Sequence, residues 1–288
     1  MERSPLSWRQ VAFCTMLIGA ITLLLVSHDT AALAVREGLL LCGQSVIPSL
    51  FPFFVTVSFA VRCRCGAFLP PEMAALLLGL VGGYPIGAKT LAELVKSGVM
   101  EQREAQRLLL CCNNAGPAFI LGILGHGVFH RAAVGWALYG IHALSALLLF
   151  ALLPHRKTGG QPVDPPVSYA AAFVAAVGDG VRTMANVCGF VVLFLAALRL
   201  LTAFTGVTHP LILGAVELIN GAQVLPNDSG GFVMAAALLG WGGLSVHCQT
   251  AAVLEGSGLK LWPYLLTKLA QAGISAALAF VLRGWIFG

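Results

Sequence analysis

Gly82-Gly83-Tyr84-Pro85-Ile86-Gly87-Ala88-Lys89-Thr90-Leu91-Ala92-Glu93-Leu94-Val95-Lys96-Ser97-Gly98 recurs, in outline, as Gly242-Gly243-Leu244-Ser245-Val246-His247-Cys248-Gln249-Thr250-Ala251-Ala252-Val253-Leu254-Glu255-Gly256-Ser257-Gly258. The two stretches lie 160 residues apart and align without a gap, with seven of 17 positions identical. Each follows an apolar run, opens on Gly-Gly, passes through polar residues and closes on Ser-Gly. Paired glycines, and a proline after Tyr84, do not belong inside a straight helix. Broken helices leave backbone N–H and C=O groups free, and lipid cannot satisfy them, so they must face protein, water or a polar solute. Matching interruptions in two halves of a membrane chain mark transporter folds, and the N-termini of half-helices attract anions.

The surrounding composition requires a membrane. Hydrophobic residues make up 58% of the 288, and charged residues only 10%, against about 25% charged in a soluble domain. Too few charges exist to clothe such a core in water. This excludes a disordered chain, a secreted disulfide scaffold and a soluble Rossmann or hydrolase domain. Short alternating segments, the mark of a β-barrel, are absent from the sequence. The expected fold is an all-α polytopic membrane protein with two pseudo-repeats and interrupted or re-entrant helices, transporter-like. The formal charge of +5 is spread singly or in pairs at the ends of apolar stretches, as at Arg3, Arg9, Arg62, Arg64, Arg156, Lys157, Lys260 and Arg283. That pattern anchors helices in a lipid bilayer and does not suit nucleic acid. The eight cysteines lack zinc-site spacing and read as small buried thiols. No metal and no cofactor is expected.

Along the chain, residues 1–157 read as a first membrane half, an N-terminal span plus repeat 1. Residues 158–166, rich in Gly and Pro, read as a linker, and 167–288 as a second half with repeat 2. The uncharged stretch 10–28 reads as a first span that is kept, in preference to a cleaved signal. Pro48 and Pro52 predict a kinked or interrupted span over 38–61. Lys89 to Leu110 is amphipathic and reads as an interfacial helix or the tip of a hairpin. Asn113-Asn114-Ala115-Gly116-Pro117 interrupts the next apolar run. Residues 261–287 form a last span or two short segments. About seven to nine crossing or re-entrant segments follow from the roughly 20 residues a span needs.

The candidate site residues are the rare polar groups at the interruptions. Tyr84, Pro85 and Lys89 flank the first. Lys89, if buried, must pair or bind an anion, and otherwise it snorkels to an interface. Asn113 and Asn114 offer donors and acceptors to a solute, or cap the helix break. Ser245, His247 and Gln249 hold the matching place in the second half. His247 is a titratable candidate for proton coupling, or a packed histidine. Glu217 follows seventeen uncharged residues; it would bind a proton or cation, hold a base from the other half, or end a helix in water. His126, His130 and His142 read as packing or helix-end residues. Enzyme signatures are missing: no Gly-x-Ser-x-Gly, no His-Glu-x-x-His and no Walker A sequence occurs. The chain is not expected to be an enzyme.

Taken in order, Phe51-Pro52-Phe53-Phe54, Gly83-Tyr84-Pro85-Ile86-Gly87-Ala88-Lys89, Cys112-Asn113-Asn114-Ala115-Gly116-Pro117-Ala118-Phe119 and Gly242-Gly243-Leu244-Ser245-Val246-His247-Cys248-Gln249 resemble the sporulation integral membrane protein family of spore-forming bacteria. That family falls in the wider group carrying a nucleoside-recognition or gate domain. The resemblance covers about residues 35 to 285. It implies a multipass protein of the cell membrane, in the outer membrane around the forespore, with a role in passing dipicolinate into the developing spore. The expectation is therefore a transporter of a small anionic solute. Tyr84, Pro85, Lys89, Asn113, Asn114, Ser245 and Gln249 would bind it, and Glu217 and His247 would couple it to a proton or Na+. A nucleoside-type solute, or a non-transporting scaffold for spore assembly, is the alternative. Assembly as a homo-oligomer is left open.

Overall fold

The computed structural model of the chain describes residues 7–63, 69–96, 98–152 and 168–288. The linker expected at 158–166 lies outside the described residues. Among these residues the secondary structure is helical throughout: α1 (Trp8–Val26), α2 (His28–Leu41), α3 (Ile47–Arg62), α4 (Pro71–Gly82), α5 (Ile86–Lys96), α6 (Gln102–Cys112), α7 (Ala132–Leu152), α8 (Tyr169–Thr205), α9 (Pro210–Val216), α10 (Leu218–Gln223), α11 (Ser229–Trp241), α12 (Leu244–Leu254) and α13 (Leu261–Phe287). Six stretches are long and apolar enough to cross a bilayer: Trp8–Val26, His28–Ala60, Ala132–Leu152, Tyr169–Thr205, Ser229–Leu254 and Leu261–Phe287. Two shorter apolar helices, Glu72–Gly82 and Ala118–Val128, supplement them. The protein is an all-α polytopic membrane protein.

The span over 38–61 is not interrupted, contrary to the expectation from its prolines. A π-helical stretch, Cys42–Val46, joins α2 to α3. The wider π turn just before Pro48 makes room where a proline ring would meet the carbonyl four residues back, and Pro52 continues inside α3. Beside this element runs α8, whose 37 residues make about 55 Å of helix, well beyond the ~30 Å of a hydrocarbon core. Arg199 likewise does not divide it. Two ion pairs join α8 to the neighbouring helix, Arg62–Asp179 at 2.6 Å and Arg199–Glu37 at 2.9 Å. Pairing 62 with 179 and 37 with 199 makes the two elements antiparallel. The 20 residues from Asp179 to Arg199 span about 30 Å, so the two pairs are about one hydrocarbon thickness apart.

The 160-residue offset extends beyond the quoted stretches. α4, the glycine break and α5 correspond to α11, Gly242-Gly243 and α12. The span 102–128, made of α6 and the π-helix Ala118–Val128, corresponds to α13. The copies differ in one place. Repeat 1 breaks at Asn113-Asn114-Ala115-Gly116-Pro117, where repeat 2 reads Gly273-Ile274-Ser275-Ala276-Ala277 and the helix runs straight through. Pro117 and Gly116 account for the break, and their absence for the continuity.

α5 and α6 pack on one another as two arms of a hairpin, the second of the two readings of their amphipathic pattern. Ala88, Leu91, Ala92, Leu108 and Leu109 are buried against α4 and the start of α13. Glycines permit the fit. A Cβ on Gly79 would stand 1.6 Å from the Cys112 carbonyl oxygen, and one on Gly87 would stand 1.9 Å from the same atom. Eight residues of straight helix span about 12 Å, so the chain folds over between α4 and α5, bringing both onto the broken end of α6.

Candidate functional site

The glycine breaks meet in the interior. The Tyr84 hydroxyl donates to the Leu239 carbonyl at 3.2 Å, and a Cβ on Gly242 would lie 3.1 Å from that hydroxyl. The peptide bond between Tyr84 and Pro85 is cis. The extended loop 113–116 enters between the breaks, with Asn113 and Asn114 fully buried.

Asn113 ties three elements together. Its amide nitrogen donates to Thr250 Oγ1 on α12 at 2.9 Å and to the Tyr264 hydroxyl on α13 at 3.0 Å. Its side-chain oxygen accepts from the Ala88 N–H at the start of α5, at 3.4 Å. Asn114 donates to the Cys111 carbonyl, closing the end of α6, and accepts from Gln271 Nε2 at 3.0 Å. Both asparagines therefore satisfy the broken backbone and also join a wider network. Capping and a polar site are here the same arrangement.

At the centre of that network lies Lys268, 1% exposed. Its ammonium donates to the Asn113 carbonyl at 3.1 Å and to Gln271 Oε1 at 2.6 Å. It stands 5.2 Å from the centre of the Tyr84 ring and 6.0 Å from that of Tyr264, a cation–π setting. Among the described residues no carboxylate forms an ion pair with it. Gln271 and Ser275 both donate to Ser145 Oγ, at 3.2 and 3.0 Å. His142 Nε2 accepts from the Ala115 N–H at 3.0 Å, which leaves the proton on Nδ1, an atom without a partner. His142 thus serves the loop that carries the site and is more than the packing residue expected.

The candidates from sequence divide into groups. Tyr84, Asn113 and Asn114 belong to this network, with Pro85 in the same turn. His247 adjoins it, wedged edge-on between Trp241 and Tyr264 with ring centres 4.4 and 5.5 Å away, both ring nitrogens unpartnered. Gln249 donates to Ser245 at 3.3 Å, one turn along α12. Glu217 caps α10, accepting from the backbone and side-chain nitrogens of Asn220 at 2.7 and 2.6 Å. Its bond is to an amide, and it does not hold Lys89 or another base.

Lys89 stands apart. Ala88 turns its N–H to Asn113, whereas the neighbouring side chain leaves on another face of α5 and reaches Glu93 at 3.9 Å and Asp179 at 4.0 Å. The buried cation of the site is Lys268. Tyr264, Lys268, Gln271 and Ser275 went unselected in the sequence. Their signal was present: polar residues at steps of four, three and four make one stripe on an otherwise apolar helix, and such stripes face the protein interior. His142 and Ser145 repeat it on α7.

Beside the network is a cavity of about 50 Å³, lined by Gly82, Gly83, Tyr84, Gly116, Glu217 and Gln249 among others. Gly82 and Gly83 of the first break line it with Ala115 and Gly116, together with Val246 and Gln249 of α12, and the Tyr84 ring that lines it is the one 5.2 Å from the Lys268 ammonium. That volume holds a few waters. A larger solute fits only after the walls separate.

The chain is 27% identical to the sporulation integral membrane protein YlbJ of Bacillus subtilis (strain 168), in an alignment of 339 positions covering 94% of this chain and 83% of the relative. No family model matches the chain. No solved structure matches it. The chain is thus similar along nearly its whole length to a sporulation integral membrane protein, and its six apolar helices make it a multipass membrane protein.

Proposed function

We propose that the protein carries a small anionic solute across a membrane during sporulation. The observation that supports this reading is Lys268, a buried ammonium held by neutral acceptors and ring faces, one of which, Tyr84, lines a cavity at the first glycine break. A buried charge without a counter-ion costs several kcal/mol, and an anion brought to it would remove that cost. Glu217 lines the same cavity. Its carboxylate repels an anion, so the solute would travel with a proton or cation that neutralises Glu217, which supplies the coupling. His247, with both nitrogens unpartnered beside Tyr264, is the second candidate for carrying a proton. A relative named for sporulation supports the setting. Dipicolinate, a rigid dicarboxylate, is the solute proposed, and the outer forespore membrane the location.

A scaffold would need a broad surface outside the bilayer, and the connections among the described residues are only a few residues long. Purified protein in sealed vesicles tests transport directly. Wild type is expected to take up dipicolinate, and Lys268→Met to lose that uptake by about a hundredfold, the scale of one lost charge-assisted contact. Absence of uptake by the wild type for dipicolinate, succinate and nucleosides alike would sink the transport reading.

A further inference from the structure

A second cavity, of about 190 Å³, opens toward the end of the bundle where Arg62 meets Asp179. Ser58, Arg62, Lys89, Thr90, Asp179 and Thr183 contribute its polar lining. Among the described residues, Phe54 alone lines both this cavity and the deep one, and it is 2% exposed. The two share a wall. On α3 the lining residues are Leu50, Phe54, Ser58 and Arg62, each four residues after the last, one stripe of the helix. On the antiparallel α8 they are Gly180, Thr183, Val187 and Val191, a stripe of steps three, four and four. One lumen wall therefore runs from charged to polar to apolar, and Phe54 crosses it.

The outer chamber is built around a carboxylate. Asp179 Oδ2 accepts from Arg62 Nε and Nη2 at 3.1 and 2.6 Å and from Ser58 Oγ at 3.1 Å. Lys89 Nζ lies 4.0 Å, and Arg182 Nη2 3.8 Å, from its other oxygen. Glu93 is the second acid lining the chamber, so two bases, Arg62 and Lys89, face two acids, and Arg182 adds a third positive charge from outside the lining, 3.8 Å from Asp179. α3 and α5 thus supply a set of donors suited to a carboxylate, and a side chain of the protein occupies it.

We propose that this chamber is a vestibule binding site for carboxylate solutes, with the Phe54 ring as the gate to the deep cavity. An arriving carboxylate exchanges with Asp179 for Arg62, Lys89 and Ser58. This loosens the tie between α3 and α8, and Phe54 can then swing aside. The inference rests on the transport reading for what passes, but its geometry is tested without any solute.

The experiment uses the full chain with its cysteines replaced, purified as a monodisperse species. Thr183→Cys reports on the vestibule and Ala118→Cys on the deep cavity. Rates of modification are compared for a sulfonate-bearing and a trimethylammonium-bearing methanethiosulfonate. At Thr183→Cys the anionic reagent is expected to react about tenfold faster, the scale on which a charged cleft concentrates ions. Arg62→Gln with Lys89→Gln should abolish the preference, and Asp179→Asn should enlarge it. At Ala118→Cys, Phe54→Ala should raise both rates at least about tenfold, with Phe54→Leu intermediate, while the Thr183→Cys rate stays constant. Equal rates for the two reagents at Thr183→Cys would overturn the carboxylate site. An unchanged rate at Ala118→Cys, or an equal rise at both positions, would overturn the gate. Labelling as expected in a protein that takes up no solute would sink transport alone.

Discussion

Lys268 is the residue whose replacement says most. Its charge is buried among Asn113, Gln271 and two tyrosine rings. Removing the buried charge relieves its desolvation, but Lys268→Met also leaves the Asn113 carbonyl and Gln271 Oε1 without that donor, about 1–3 kcal/mol for each group. The two effects oppose, so Lys268→Met should melt close to the wild-type temperature in detergent while losing uptake. A variant that loses both would make Lys268 a structural cation only. Asn114→Ala is expected to behave otherwise. It takes from the Cys111 carbonyl its side-chain donor and from Gln271 Nε2 one of two acceptors, Ser145 Oγ being the other, and an unpaired buried group costs about 1–3 kcal/mol. Its melting temperature should fall together with its uptake.

At the scale of elements, the fold depends on how closely short helices approach. α4 and α5 both press on the Cys112 carbonyl at the end of α6, through Gly79 and Gly87. A methyl group at either position has no room, because the atom opposite is backbone. Gly87→Ala should destabilise by about 2 kcal/mol or more, visible as a lower thermal midpoint. Gly140→Ala on α7, with nothing within 4 Å of the added atom, should leave the midpoint unchanged or slightly raise it. Equal effects would mean that the helix ends do not pack as described. The element scale is also where sequence reading succeeded unevenly. Gly83, Gly242 and Gly243 take the positive φ that ends a helix, open to glycine at little cost, and Pro117 lacks the N–H a continuing helix needs, so those breaks were legible from the chain alone. Pro48 and Pro52 looked like breaks and are not, because five residues of π-helix upstream absorb the proline. That accommodation has no signature in residue identity.

For the whole molecule, the paired charges supply a ruler. Glu37–Arg199 and Arg62–Asp179 lie at opposite ends of two antiparallel helices, some 30 Å apart. Cysteines placed at Val35 and at Thr183 in sealed vesicles should therefore react with an impermeant thiol reagent from opposite sides. Reaction from the same side would refute the bilayer frame. The exposed Glu37–Arg199 pair serves position more than stability, since such surface pairs contribute about 1 kcal/mol or less. The deep cavity, at about 50 Å³, is closed to a solute the size of a dicarboxylate. The proposed transport would require the walls of that cavity to separate.

By itself the sequence determined that this chain lives in lipid, that it is helical, and that its two halves share glycine-broken segments. Those properties follow from transfer free energy and from the sterics of Gly and Pro, which are written residue by residue. It also named Tyr84, Asn113 and Asn114, which meet in one buried network, and His247, which adjoins it. Only the tertiary structure decided which cation sits among them. Lys268 lies on a polar stripe of an apolar helix and Lys89 on an amphipathic one, but neither pattern says which neighbour the charged face meets. Lys89 points out of α5 to Asp179, whereas Lys268 lies on the polar stripe that α13 turns toward the Asn113 break. Which face of a helix meets which neighbour is set by packing between segments 155 residues apart, and no single stretch of chain contains that information.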